Sequence, residues 1–238
     1  MGYDMSEASS VITGTVIKLL GTQNDSCSCG IPMMGVTVSI FEEGTHRELS
    51  YREVGEICTI GAGMMLGYDN IESTTEVLQM HPDGKVWIHT GDFGYMTEIG
   101  EVFVLSRGLH KRYDGDYLFP ILMENRVVEI PGVDDGFFVI VKDRVHEGYS
   151  EPYLYLILEE GVILEQVENS ILERLKPYEY PVKINVIKER PYYHFKTNRR
   201  QLAEEIMREL DGQNNDHTEV NELEDMIEGT INFQLMLD

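Results

Sequence analysis

The chain has 238 residues, 42% of them hydrophobic, and a formal net charge of -23. That apolar content fills a real core, whereas the acidic surplus repels phosphate backbones and argues against nucleic-acid binding. No window approaches 18 uninterrupted apolar residues, and Met1 to Ser10 has no basic region followed by an apolar run, so neither a membrane span nor a secretory leader is expected. The first half is expected to be strands. Val36–Ile40, Glu56–Ile60, Val86–Ile88 and Glu101–Leu105 are short and β-branched, and glycine or proline turns separate them at Gly30-Ile31-Pro32, Gly61-Ala62-Gly63, Pro82-Asp83-Gly84 and Gly100. Glu72 to Met80 is expected as a short helix. Together these elements suggest antiparallel β structure, a small distorted barrel.

After Arg107 the pattern changes. A helix is expected over Phe119 to Val128, with Pro120 in its first turn and Ile121, Leu122, Val127 and Val128 as its apolar positions. Strands follow at Gly136 to Lys142 and Tyr153 to Leu158. An amphipathic helix follows at Glu165 to Leu175, with Val167, Ile171, Leu172 and Leu175 on one side. Pro181 to Ile187 reads as a strand and Arg200 to Leu210 as a helix. From Asp211 onward there are eight acidic residues and no lysine or arginine. Within that tail, Thr218 to Ile227 suits a short helix and Ile231, Phe233, Leu235 and Leu237 alternate as in a strand or a partner contact. The expected fold class is α+β: a β-rich subdomain over residues 1–107, a small α+β domain over 108–210, and an acidic tail over 211–238. The three cysteines, Cys27, Cys29 and Cys58, are too few and badly spaced for a disulfide framework or a zinc site, which points to free thiols in a reducing, cytoplasmic setting.

Taken singly, the chemistry-bearing turns say little. Gly61-Ala62-Gly63 is a common turn, Thr90-Gly91-Asp92 fits a hairpin loop, and a lone Lys196 is usually a solvated charge. Their order carries more. Gly2-Tyr3-Asp4-Met5-Ser6-Glu7 resembles the Tyr-Gly-x-Thr-Glu turn of the adenylate-forming (AMP-binding) enzymes. Gly55-Glu56 through Gly67-Tyr68, with Thr74 or Thr75 after it, resembles that family's Gly-Glu-Leu stretch. Trp87-Ile88-His89-Thr90-Gly91-Asp92 resembles its Trp-x-x-Thr-Gly-Asp strand end, in the form seen in acyl-CoA synthetases rather than peptide synthetases. Arg107, Gly115 and Pro120 to Glu124 resemble the hinge and first lid helix, Pro131-Gly132-Val133 the turn after it, and Pro191 to Leu202 the final lysine-bearing segment. The resemblance runs over residues 1 to 210.

What it implies is an acid–thiol ligase that uses ATP, Mg²⁺ and CoA and releases AMP. Tyr3 would stack on adenine, Ser6 would bind a phosphate or acyl oxygen, Asp92 would accept the ribose hydroxyls, and Arg107 would reach the ribose or phosphates. Glu7 would help to hold Mg²⁺, a hard cation. Lys196, the catalytic candidate, would lie over the reacting carboxylate and α-phosphate. The departures are Asp4 for a glycine, Gly63 near the usual proline, Leu109 in the hinge, and Phe195 for the glycine before Lys196, in a segment one residue short. These residues also lack the family's Ser/Thr/Gly-rich phosphate loop, and no Gly-x-x-x-x-Gly-Lys-Ser/Thr motif replaces it. The expectation is therefore a partial ligase, inactive alone. The alternatives are a non-catalytic binding or regulatory module, or one subunit of a split enzyme completed by an N-terminal partner chain; the possible partners are that chain or a further copy in a homo-oligomer.

Overall fold

The computed structural model describes residues 2–14, 28–113, 115–193 and 196–211. The expected tail elements at Thr218 to Ile227 and Ile231 to Leu237, together with Cys27 and Phe195, lie outside the described residues. The fold is mixed α+β and strand-rich, as the sequence implies.

The first half is antiparallel throughout. Strands β1 (Gly2–Met5), β2 (Ser10–Gly14) and β3 (Ile31–Pro32) form one small sheet. A second, five-stranded sheet contains β4 (Val36–Phe41), β5 (Gly55–Gly61), β6 (Leu78–Met80), β7 (Val86–Met96) and β8 (Val102–Arg107). Its order is β4-β5-β7-β6, with β8 also paired to β7. Side chains from both sheets, Ile12 with Val38, Ile40, Ile57 and Val102, close a common core against which Tyr3 and Met5 pack.

Two expectations about this half need correction. The helix expected over Glu72 to Met80 is α1 (Ile71–Val77) and stops there. Leu78, Gln79 and Met80 instead pair with Ile88, Trp87 and Val86 as β6, because the neighbouring strand offers a full ladder of backbone partners that outweighs local helix propensity. The short strand expected at Val86–Ile88 is the first part of the 11-residue β7, so Thr90-Gly91-Asp92 lies inside a strand rather than at its end.

The second half packs helices on both faces of one sheet. Strand β9 (His110–Lys111) pairs with β10 (Tyr117–Leu118), and α2 (Pro120–Val128) follows with proline in its first turn, where an amide hydrogen would have no helical partner. Strand β11 (Val133–Lys142) pairs antiparallel with β12 (Ser150–Leu158), and β12 pairs parallel with β13 (Lys183–Val186) after the crossover helix α3 (Leu164–Arg174). Alternate residues face opposite ways along a strand, which divides the buried set in two. Phe138, Leu154 and Leu156 meet Met123 and Val127 of α2 and Val167 and Ile171 of α3. Phe137, Val139, Tyr153 and Tyr155 meet Ile206, Leu202 and Met207 of the final helix, α4, at 199–211. Ile121 and Leu122 face the other way, onto Phe103 and Leu105 of β8. Val128, expected on the apolar face of α2, is instead 39% exposed, because the buried stripe of the helix is set by Met123 and Val127.

Candidate adenylate site

The site begins with a deformation of β7. Against β5, Cys58 faces His89 but Glu56 faces Phe93, so two extra residues of β7 arch out between them. Gly91, at φ +71, supplies the left-handed backbone this arch requires. The arch is held from inside. Thr90 Oγ1 donates to the Ile57 carbonyl at 2.6 Å and accepts the Asp92 amide at 3.0 Å. One oxygen of Glu56 accepts the Gly91 amide at 2.9 Å and the other lies 2.8 Å from His89 Nδ1. Glu56 thus ties together the two sides of the bulge that presents Asp92. The Gly55-Glu56 and Thr-Gly-Asp segments mark both Glu56 and Thr90 in the sequence, yet their roles are indirect and neither had been picked out as a site residue.

Asp92 is 8% exposed and both its oxygens are engaged. Tyr3 Oη of β1 donates to Oδ2 at 2.6 Å, and Arg107 Nη1 of β8, the cross-strand partner of Asp92, donates to Oδ1 at 3.1 Å. Burial, and then the charge of Asp92, push the Tyr3 phenol well above its ordinary value, so it remains a donor. Three residues from three separate motifs therefore meet at one carboxylate.

Glu7 lies in the 3-10 turn Ser6–Ala8, which Ser6 opens in an exposed position. Its carboxylate accepts the Tyr68 hydroxyl at 2.5 Å. That bond foremost, and the charges of Arg107 and Lys196, hold the Glu7 carboxyl below its usual range against a smaller opposing effect of burial. The turn is pinned beneath by Met65, whose amide donates to the Glu7 carbonyl at 2.8 Å, and by Gly63, where a Cβ would meet the Ala8 carbonyl oxygen at 2.5 Å. Glycine at that position thus permits a close approach of two backbones. Tyr68 is positioned by Thr74, whose Oγ1 accepts the Tyr68 amide at 2.8 Å and donates to the Asn70 carbonyl at 2.9 Å. Tyr68 was not singled out in the sequence, although its motif was.

Lys196 stands exposed on β15 (Lys196–Thr197), paired with β14 (Tyr192–Tyr193). The base of this hairpin is fixed by Arg190, which makes two hydrogen bonds to Asp135 and donates to Thr197 Oγ1 at 2.9 Å. Leu109, expected in the hinge, is half-buried beside Gly108, whose φ is +76. The structure therefore brings Tyr3, Asp92 and Arg107 into direct contact, places Glu7 within electrostatic reach of Arg107 and Lys196, and leaves Ser6 facing solvent nearby.

Comparisons with known proteins bear on the family and the fold. The family model described as AMP-binding enzyme matches residues 1–69. Over 213 residues the chain is 30% identical to YdaB of Bacillus subtilis (strain 168), a protein named for an acyl–CoA ligase, covering 87% of this chain and 39% of that protein. It is 30% identical over 171 residues to 4-coumarate–CoA ligase of Pinus taeda, covering 69% of this chain and 30% of the ligase. Among solved structures, o-succinylbenzoate CoA synthetase (MenE) of Bacillus subtilis, bound to its acyl-adenylate intermediate, superposes with a TM-score of 0.70 at 26% identity. That match covers 84% of this chain and 40% of the synthetase. The fold is the one found in these adenylate-forming structures. The chain belongs to the adenylate-forming superfamily, and it spans about two fifths or less of the length of these relatives.

Proposed function

We propose that this chain is the adenosine-side and lid portion of an AMP-forming acid–thiol ligase of the acyl-CoA synthetase type. The observation that carries the reading is the convergence of Tyr3, Asp92 and Arg107 on one buried carboxylate, with Glu7 and Lys196 grouped beside it. In this reading the Tyr3 ring takes the adenine face and Asp92 exchanges its present donors for the ribose hydroxyls. Arg107 then turns to the phosphates, Ser6 binds a phosphate or acyl oxygen, and Lys196 offsets charge that develops at the α-phosphate. Glu7 fits Mg²⁺, since its carboxyl is kept ionised and hard cations favour carboxylate oxygen; the ion would supply charge neutralisation to the nucleotide phosphates. The same reading takes ATP as substrate and CoA as the thiol acceptor. MenE has been solved with ATP and magnesium at 27% identity and a TM-score of 0.67, which supports those ligands.

Residues 108–210 act as the lid in this reading, turning about Arg107–Leu109, and residues 211–238 form a separate acidic tail. Hinge closure of this kind is set by a few residues at a domain boundary. The setting is cytoplasmic in this reading, in keeping with the buried cysteines Cys29 and Cys58, which form no disulfide. Among the described residues no helix is long and apolar enough to cross a membrane.

The 238 residues lack the backbone loop that holds the β- and γ-phosphates, so alone they bind AMP but do not adenylate. Calorimetry is expected to show AMP binding that Asp92→Asn weakens, and the purified chain is expected to give no ATP–pyrophosphate exchange. Exchange that Lys196→Ala abolishes would show that the chain is catalytically complete. Failure of AMP to bind would leave the regulatory-module alternative as the better one. The exposed apolar side chains of Val11, Ile31, Met33, Met34, Leu66 and Ile71 favour one further reading, in which an N-terminal partner segment covers apolar surface in this half and supplies the missing loop. Mixing the chain with the corresponding N-terminal part of a relative, and recovering exchange, tests it.

A further inference from the structure

Three imidazoles meet on the side of the five-stranded sheet away from the Tyr3–Asp92 contact. His46 lies in the turn after β4, His81 follows β6, and His89 is in β7, three residues before Asp92. One ring nitrogen from each lies within 4.8 Å of the other two. His81 Nε2 and His89 Nε2 are 2.9 Å apart, and the His46 and His81 rings are 4.2 Å between centroids. His81 and His89 are buried and His46 is exposed, so the cluster opens to solvent on one side only.

His89 Nδ1 lies 2.8 Å from Glu56 Oε2, the geometry of an N–H donor to a carboxylate, and its Nε2 faces His81. A carboxylate that holds the far nitrogen of an imidazole is the outer-shell arrangement that fixes and strengthens a histidine ligand. Neutral imidazole at three corners with the fourth open to water is a donor set suited to borderline divalent ions. Nitrogens bound to zinc at about 2.0–2.1 Å in tetrahedral geometry stand roughly 3.3 Å apart. The buried pair therefore needs only a small separation, and the exposed His46, already packed on His81 and held otherwise by a 3.4 Å contact to Gln79 Oε1, needs only to exchange that contact. The alternative set of Glu56, Cys58 and His89 is poorer. Its histidine nitrogen is already taken by Glu56, and burial, with the nearby Glu56 charge, raises the Cys58 thiol far above its ordinary value.

We propose that His46, His81 and His89 bind one zinc-class divalent ion, with Glu56 as the outer partner of His89. The ion cross-links two hairpins to the strand that carries Asp92. Through Glu56, which also holds the Gly91 amide, it stiffens the bulge that presents that carboxylate. This site stands on its own residues and does not depend on the nucleotide reading.

The test uses the 238-residue chain without a polyhistidine tag, stripped by chelator and titrated with Co²⁺, then with Zn²⁺ in competition. The expected result is one equivalent of Co²⁺ with the visible bands of a four-coordinate nitrogen and oxygen site, displaced by Zn²⁺. His46→Ala, an exposed change that leaves the circular dichroism spectrum intact, is expected to weaken binding at least about tenfold, and Glu56→Gln about 10- to 100-fold. Cys58→Ala is expected to leave affinity unchanged. The proposal is overturned if Co²⁺ does not bind saturably, if His46→Ala binds as tightly as the parent, or if a thiolate-to-cobalt charge-transfer band appears and Cys58→Ala removes it.

Discussion

Replacing Tyr3 with phenylalanine separates what the Tyr3–Asp92 contact does for the fold from what it does for nucleotide. The side chain of Asp92 is 12% exposed, whereas that of Arg107, its other partner, is 75% exposed. An ion pair to so exposed an arginine is screened and contributes little, about 0–1 kcal/mol. The Tyr3 hydroxyl, at 2.6 Å, is the short donor to a buried charge. Removing it deletes a hydrogen bond to an ionised acceptor, a loss of about 1.5–3 kcal/mol, and leaves Oδ2 short of a donor. The ring itself, which packs against the core of Ile12, Val38 and Ile57, is retained. A loss of about 2 kcal/mol corresponds to roughly a 30-fold shift in the unfolding equilibrium and to a fall in Tm of about 4–8 °C for a chain of this size.

Nucleotide affinity should respond differently. In the parent, ribose hydroxyls must displace the Tyr3 and Arg107 donors. In Tyr3→Phe only Arg107 competes, so AMP binding persists or tightens while stability falls. Urea unfolding and AMP calorimetry on the same preparation measure both. The alkaline limb adds a sign. The folded phenol is raised above the ordinary value of about 10, so the stability it contributes is fully present below pH 10 and is lost as pH rises beyond it. The parent should therefore lose stability more steeply than Tyr3→Phe between about pH 10 and 11. Equal stability of the two proteins at pH 7 together with abolished AMP binding would refute the reasoning, because it would mean that the hydroxyl serves the ligand and not Asp92.

Three further changes probe the frame around the site. Gly94→Ala places a Cβ 1.9 Å from the Phe103 carbonyl oxygen and 3.0 Å from Ile57 Cδ1, so β7 and β8 must separate. A loss of about 3 kcal/mol or more is expected in urea unfolding, with hydrogen exchange accelerated in both strands. Glu179→Ala removes a carboxylate that is 3% exposed and that accepts from Arg126 at 2.7 Å and from the Lys176 amide at 2.8 Å, which should cost about 3 kcal/mol in thermal or urea unfolding. Asp135→Asn weakens the bidentate partner of Arg190 beneath the Lys196 hairpin, with an expected loss of about 1–2 kcal/mol at pH 7. The hydrogen bond from Arg190 depresses the folded Asp135 carboxyl. Its contribution is therefore present above the unfolded value of about 3.9 and disappears as pH falls through the lower folded value, so parent and variant should converge once the pH has fallen below that folded value.

How much of this could be read from the chain depends on whether a residue acts directly or through another. Tyr3, Asp92 and Arg107 lie on three strands, and nothing in their spacing shows that they meet. Their motifs were nonetheless legible because each sits at a local irregularity, a turn or a bulge, that leaves a sequence trace such as Thr90-Gly91-Asp92. The Gly55-Glu56 motif marks Glu56 but not its role, because it acts on His89 and on the Gly91 amide across a sheet register that only pairing defines. The β6 strand is concealed in the sequence for a related reason. Leu78-Gln79-Met80 has the composition of a helix, and it becomes a strand because Val86, Trp87 and Ile88 stand opposite. The same hairpin then carries His81 to within 2.9 Å of His89, a contact eight residues apart in sequence that exists only if β6 is a strand. Extending α1 by one helical turn would rotate His81 away from β7 and dissolve the imidazole cluster. The correction to the secondary structure and the proposed ion site thus stand or fall together, and metal titration of the cluster is also a test of the β6–β7 register.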